Sequence, residues 1–168
     1  ALRLYEECLS KSRKLLGDDH PDTLTYMNNL GDMLRALGRL YESLLLYEEC
    51  LSKRKKLLRD DHPDTLISMN NLGYILQDVG RLDEALSLYE ECLNKRKKLL
   101  GDDHPDTLTS MNNLGYLLQN MVRLEEALSL YEECLSKSKR LLGNDHPATL
   151  SSMYNLGYLL QNMGRLDE

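Results

Sequence analysis

Cysteine and histidine are the side chains here that could ligate a metal or drive a nucleophilic step, and each occurs four times. The cysteines are Cys8, Cys50, Cys92 and Cys134; the histidines are His20, His62, His104 and His146. Thiolate and imidazole together suit a zinc site or a nucleophile with its base. Spacing argues against both. There is no Cys-x-x-Cys, and Cys8 lies inside a helical pattern that ends before His20. The helical stretch from Cys8 to Leu16 alone puts about 12 Å between them, whereas zinc ligands converge to about 2.0–2.3 Å of one point. Every interval is 42 residues, as it is for Pro21, Pro63, Pro105 and Pro147. A residue repeated at one position of every copy reads as scaffold, so the cysteines are expected as buried free thiols and the histidines as hydrogen-bonding groups at a junction. No Ser/His/Asp set and no Gly-rich phosphate loop stands apart from the repeat. Neither metal, cofactor nor catalysis is expected.

The elements that position these residues follow from the same period. The 168 residues divide into units 1–42, 43–84, 85–126 and 127–168 without an insertion, with 32 of 42 positions identical between the second and third and 33 of 42 between the third and fourth. A period of this size signals a solenoid, here one array over 1–168. Two helical stripes recur in each unit. Helix A carries Leu108, Met111, Leu114, Gly115, Leu118 and Met121, with Gly115 where a side chain would hold a neighbouring helix away. Helix B carries Ala127, Leu130, Tyr131, Cys134 and Leu135. The junction Gly101-Asp102-Asp103-His104-Pro105-Asp106-Thr107 places a helix stop before a polar cap and a Pro at about the first helical position. Gly38, Gly80 and Gly164 end helix A; Val122 stands in their place in the third unit and Arg59 replaces the Gly that follows helix B. The pairs Glu7/Lys11, Glu49/Lys53, Glu91/Lys95 and Glu133/Lys137 have favourable i, i+4 polarity on an outer face.

Composition narrows the partners. With 27 acidic and 21 basic residues the net charge is −6, against the basic field that nucleic acid or an anionic membrane surface requires. The longest apolar run, Leu44 to Tyr47, cannot span a bilayer. Cysteine once per unit without disulfide spacing points to a reducing, cytoplasmic compartment. Without an initiator Met, the chain reads as a piece of a longer protein.

Asn112-Asn113-Leu114-Gly115-Tyr116-Leu117-Leu118, the Arg123-to-Ala127 turn, Tyr131 and Cys134-Leu135 resemble the tetratricopeptide repeat. The 42-residue period and the His-Pro-Asp-Thr junction are similar to the long-helix-B arrays of kinesin light chains. The resemblance implies an all-α, right-handed superhelix of antiparallel helix pairs: eight helices, starting with a helix B and ending with a helix A, with A helices lining a concave groove. It also implies that the groove holds a protein or peptide.

Helix-A positions outside the apolar stripe form four rows: Asn28, Asn70, Asn112 and Tyr154; Asn29, Asn71, Asn113 and Asn155; Asp32, Tyr74, Tyr116 and Tyr158; Arg35, Gln77, Gln119 and Gln161. Three-residue spacing between the later rows puts them on one face. Asn offers a donor and an acceptor to an extended backbone, and Tyr offers apolar area with a hydroxyl. By resemblance these rows are assigned to the peptide groove. Only Arg35 could meet an acidic ligand, so one is disfavoured. The other reading is structural: Asn rows that bond neighbouring helices in an array serving length or self-association. Glu168 read back into Ala1 gives an unbroken repeat junction, so head-to-tail stacking of copies is expected.

Overall fold

The computed structural model describes residues 1–167. Among them are eight α-helices and no strand: α1 (Leu2–Leu16), α2 (Pro21–Ala36), α3 (Leu40–Leu57), α4 (Pro63–Asp78), α5 (Leu82–Leu100), α6 (Pro105–Asn120), α7 (Leu124–Leu142) and α8 (Pro147–Asn162). The even-numbered helices are the expected A helices and the odd-numbered the B helices. The chain separates into two compact units, Ala1–Ala85 and Leu86–Glu168.

In the first unit α1 packs on α2, α2 on α3, and α3 on α4, with a lighter contact between α2 and α4. Leu9, Leu24, Met27, Leu30, Leu34 and Cys50 form one buried cluster there, drawn from three helices. In the second unit α6 packs on α7 and α7 on α8, and α6 also touches α8. The apolar stripes therefore do what their period demands within each unit: α1 to α4, and α6 to α8, hide one face against the next helix in sequence.

A tyrosine of helix B fixes the α2–α3 and α6–α7 contacts. Tyr47 and Tyr131 are almost wholly buried, and their rings lie on Gly31 and Gly115. A Cβ built on Gly31 would stand 2.9 Å from the Tyr47 ring, and one on Gly115 2.6 Å from the Tyr131 ring. Ser43 Oγ adds a 2.8 Å bond to the Gly31 carbonyl. The Tyr47 hydroxyl donates to Asp32 Oδ1, and burial, with that carboxylate second, pushes the phenol above its ordinary range.

Helix ends respond to single residues. After helix A, Arg39 N–H reaches the Leu34 carbonyl and Gly38 N–H the Arg35 carbonyl, both 2.9 Å, a Schellman turn that needs positive φ at Gly38. Val122 makes the same turn, with Arg123 N–H to Leu118 and its own N–H to Gln119, and is held at φ 61°, where a β-branched residue is strained. After helix B, Gly17, Gly101 and Gly143 take φ of 93, 90 and 86°. Arg59 does not, and α3 stops one residue earlier in its unit than α5 or α7, with Leu58 extended at φ −113°.

Two substitutions test these assignments by urea unfolding. Val122→Gly is expected to raise stability by about 1 kcal/mol by relieving the left-handed valine. Gly115→Ala is expected to lower it by about 1–3 kcal/mol, because the methyl must displace the Tyr131 ring.

Candidate functional site

The cysteine–histidine set resolves into caps and packing. Each histidine is the N-cap of an A helix: Nδ1 accepts from the backbone N–H of Asp22, Asp64, Asp106 or Ala148 at 3.1–3.2 Å. Proline follows at the first helical position, where its missing N–H costs nothing. Thr23, Thr65 and Thr107 donate to the carbonyls of Gly17, Arg59 and Gly101, so one short segment closes helix B and opens helix A. Cys50 and Cys134 donate to the carbonyls of Leu24 and Leu108 at 3.4 and 3.5 Å. Burial pushes the thiols of Cys50, Cys92 and Cys134 above their ordinary range. Cys8 departs from the expectation of a buried thiol: it is exposed, because no helix A of this structure packs on that side of α1.

Two cations escaped the sequence reading. Arg54 and Arg96 are buried, and each donates from Nη1 to a backbone carbonyl, Asp64 or Asp106, and to a hydroxyl, Ser68 or Ser110, at 2.8–2.9 Å. They lie four residues after Cys50 and Cys92, on the buried stripe. That spacing was the available signal that these were not solvated charges. The outer i, i+4 ion pairs are all present, and at a solvated surface such pairs add little to stability.

The helix-A rows are placed unequally. In the first unit Asn29, Asp32 and Arg35 are exposed on α2, Asn28 is buried, and Asn70, Asn71, Tyr74 and Gln77 are half-buried on α4. Arg35 is engaged twice: Nε donates to Asp78 Oδ2, and the guanidinium lies 5.6 Å from the centre of the Tyr74 ring. The hydrogen bond to Asp78 holds its pKa above the ordinary value. In the second unit Tyr116 is exposed, Asn112 and Gln119 are half-buried, and Asn113 is buried. Asn112 Nδ2 donates to Ser152 Oγ at 3.3 Å, a bond from α6 to α8. On α8, Tyr154 and Tyr158 are exposed with rings stacked at 6.4 Å; Asn155 is half-buried and Gln161 exposed. The amide oxygens of Asn28, Gln77 and Asn112 are buried without a hydrogen-bond partner.

A profile of the tetratricopeptide repeat matches four overlapping stretches, residues 1–56, 28–94, 64–135 and 112–168. The chain belongs to the tetratricopeptide repeat family. Repeats of this family in general mediate protein–protein interaction and are in general not catalytic. Among solved structures, this array is similar to the nearly identical TPR-like repeats of a Podosopora anserina protein named for kinesin light chain. That match has a TM-score of 0.82 and 29% identity over 98% of this chain and 78% of that one. A point variant of the same protein gives 0.84 and 27%, over 98% and 77%. BtubC (BKLC) from P. vanneervenii shares the fold at TM-score 0.79 and 23% identity, over 96% of this chain and 65% of that one. No curated protein matches. None of the described helices in the array is long and apolar enough to cross a membrane.

The thiol placements give a direct test. In the folded array Cys8 is expected to react with a thiol reagent such as 5,5′-dithiobis(2-nitrobenzoate), while Cys50, Cys92 and Cys134 react only after unfolding. Rapid release of four equivalents at neutral pH would contradict the burial.

Proposed function

We propose that residues 1–168 act as one non-catalytic scaffold that binds an extended, neutral or basic peptide along its A-helix rows. The observation that carries this reading is that each unit holds amide oxygens buried without a partner, those of Asn28 and Gln77 in the first and of Asn112 in the second. A buried acceptor left unsatisfied costs about 1–3 kcal/mol. The terminal torsion of an amide is soft, so a ligand backbone N–H can draw each oxygen outward and satisfy it. Exposed tyrosines of the same rows, Tyr116 four residues after Asn112 among them, supply the apolar contact. Arg35 is neutralised by Asp78, and the net charge is −6; both disfavour an acidic ligand, nucleic acid or an anionic membrane. Four free thiols support a cytoplasmic setting.

One observation favours the structural reading: the Asn112–Ser152 bond joins two A helices. Tyr116→Ala separates the two. Under the binding reading, affinity for a peptide selected from an array of extended sequences falls by about tenfold, as for a contact of about 1–2 kcal/mol, while helicity and melting temperature hold. Under the structural reading no peptide is selected, and Asn112→Ala lowers the melting temperature.

A further inference from the structure

One buried cation of the first unit has no counter-ion. Arg54 is 6% exposed, and Nη1 makes both of its hydrogen bonds, to the Asp64 carbonyl at 2.8 Å and to Ser68 Oγ at 2.9 Å. Nearby cations are paired, Lys53 with Asp19 at 3.4 Å and Arg59 with Asp61 at 3.0 Å, but among the described residues no carboxylate pairs with Arg54. A buried charge in this condition is costly unless something compensates it. Arg54 also lines a cavity of about 440 Å³, formed where the C-terminus of α3 meets the starts of α2 and α4. The walls are mostly apolar, from Pro21, Leu24, Leu57 and Leu58. Leu58 belongs to the segment where Arg59 replaces glycine, and it is extended at φ −113°. His62 lines the cavity as well; its Nδ1 accepts from the Asp64 N–H, so the ring hydrogen sits on Nε2 as a donor. Two carboxylates border the space. Asp19 is held by Lys53, and Asp64 stands in the first turn of α4, where the helix dipole favours its charge. Every lining residue lies between Asp19 and Asp64, and none belongs to the A-helix rows.

We propose that this cavity binds a small monocarboxylate with a short apolar body. The carboxylate oxygens meet Nε and Nη2 of Arg54, which make no hydrogen bond among the described residues and form an edge that matches a carboxylate in two parallel bonds. His62 Nε2 is a further donor. The apolar body lies against Leu24, Leu57 and Leu58, and a volume at the lower end of the range for small-molecule sites suits it. A phosphate fits less well, since it would leave the apolar walls uncovered and bring more negative charge beside Asp19 and Asp64.

Titration of the 168-residue chain with hexanoate, followed by two-dimensional NMR of the leucine methyl and histidine ring resonances, tests this. Saturable shifts are expected at Leu57, Leu58 and His62 in the millimolar range. Acetate carries the charge without the apolar body, and hexanol the body without the charge; each is expected to bind more weakly by about tenfold or more. Arg54→Met is expected to weaken hexanoate binding by about tenfold or more. Because that change also strips hydrogen bonds from the Asp64 carbonyl and Ser68, Leu58→Trp serves as the second variant. It fills the cavity from a half-buried wall position and leaves the Arg54 bonds in place, so the shifts are expected to vanish while circular dichroism holds. Hexanoate that gives no saturable shift in the millimolar range overturns the proposal. So does acetate or hexanol binding as tightly as hexanoate, or a Leu58→Trp chain that still binds it.

Discussion

The contact between a helix-B tyrosine and a helix-A glycine is the constraint on which the rest depends. With the Tyr47 and Tyr131 rings lying where a glycine Cβ would be, the two helices approach as closely as an aromatic face allows. The leucines and methionines on either side are buried as a consequence. Because the glycine stands on the A helix and the tyrosine on the B helix that follows it, the interaction is directional. α2 and α6 each present a seat, and α3 and α7 each bring an occupant.

That directionality divides the surface of α2 and α6. One side is consumed by the tyrosine and its neighbours; the remaining side carries Asn, Tyr or Gln. Residues that looked like chemistry are spent on geometry. Histidine Nδ1 caps each A helix, Thr23, Thr65 and Thr107 tie the preceding B helix to it, and three of four thiols are buried.

The helical period, the junction, and the role of Gly115 were legible in the sequence because each rests on local spacing or on the absence of a side chain. So was the missing glycine at Val122, which the structure shows as a valine at positive φ. Cys8 was not, because its exposure depends on which helix lies beside α1 rather than on its own stripe. Arg54 and Arg96 were masked by neighbouring lysines: a cation within a basic run reads as solvated, and only its register with Cys50 and Cys92 betrays burial. The burial of the row positions was not legible. Asn28 and Asn113 are buried while Asn29 is exposed, since neighbouring helices cover equivalent positions unequally.

The central claim is that the tyrosine–glycine contact holds the array while the A-helix amides remain available to a partner. Side-chain amide resonances of the Asn and Gln residues, followed by two-dimensional NMR during titration with an array-selected peptide, test it most directly. The account predicts shifts at Gln77, Asn112 and Gln119, with the ring resonances of Tyr47 and Tyr131 unmoved. Shifts confined to the histidine junctions, or movement of the buried tyrosines with silent amides, would contradict it.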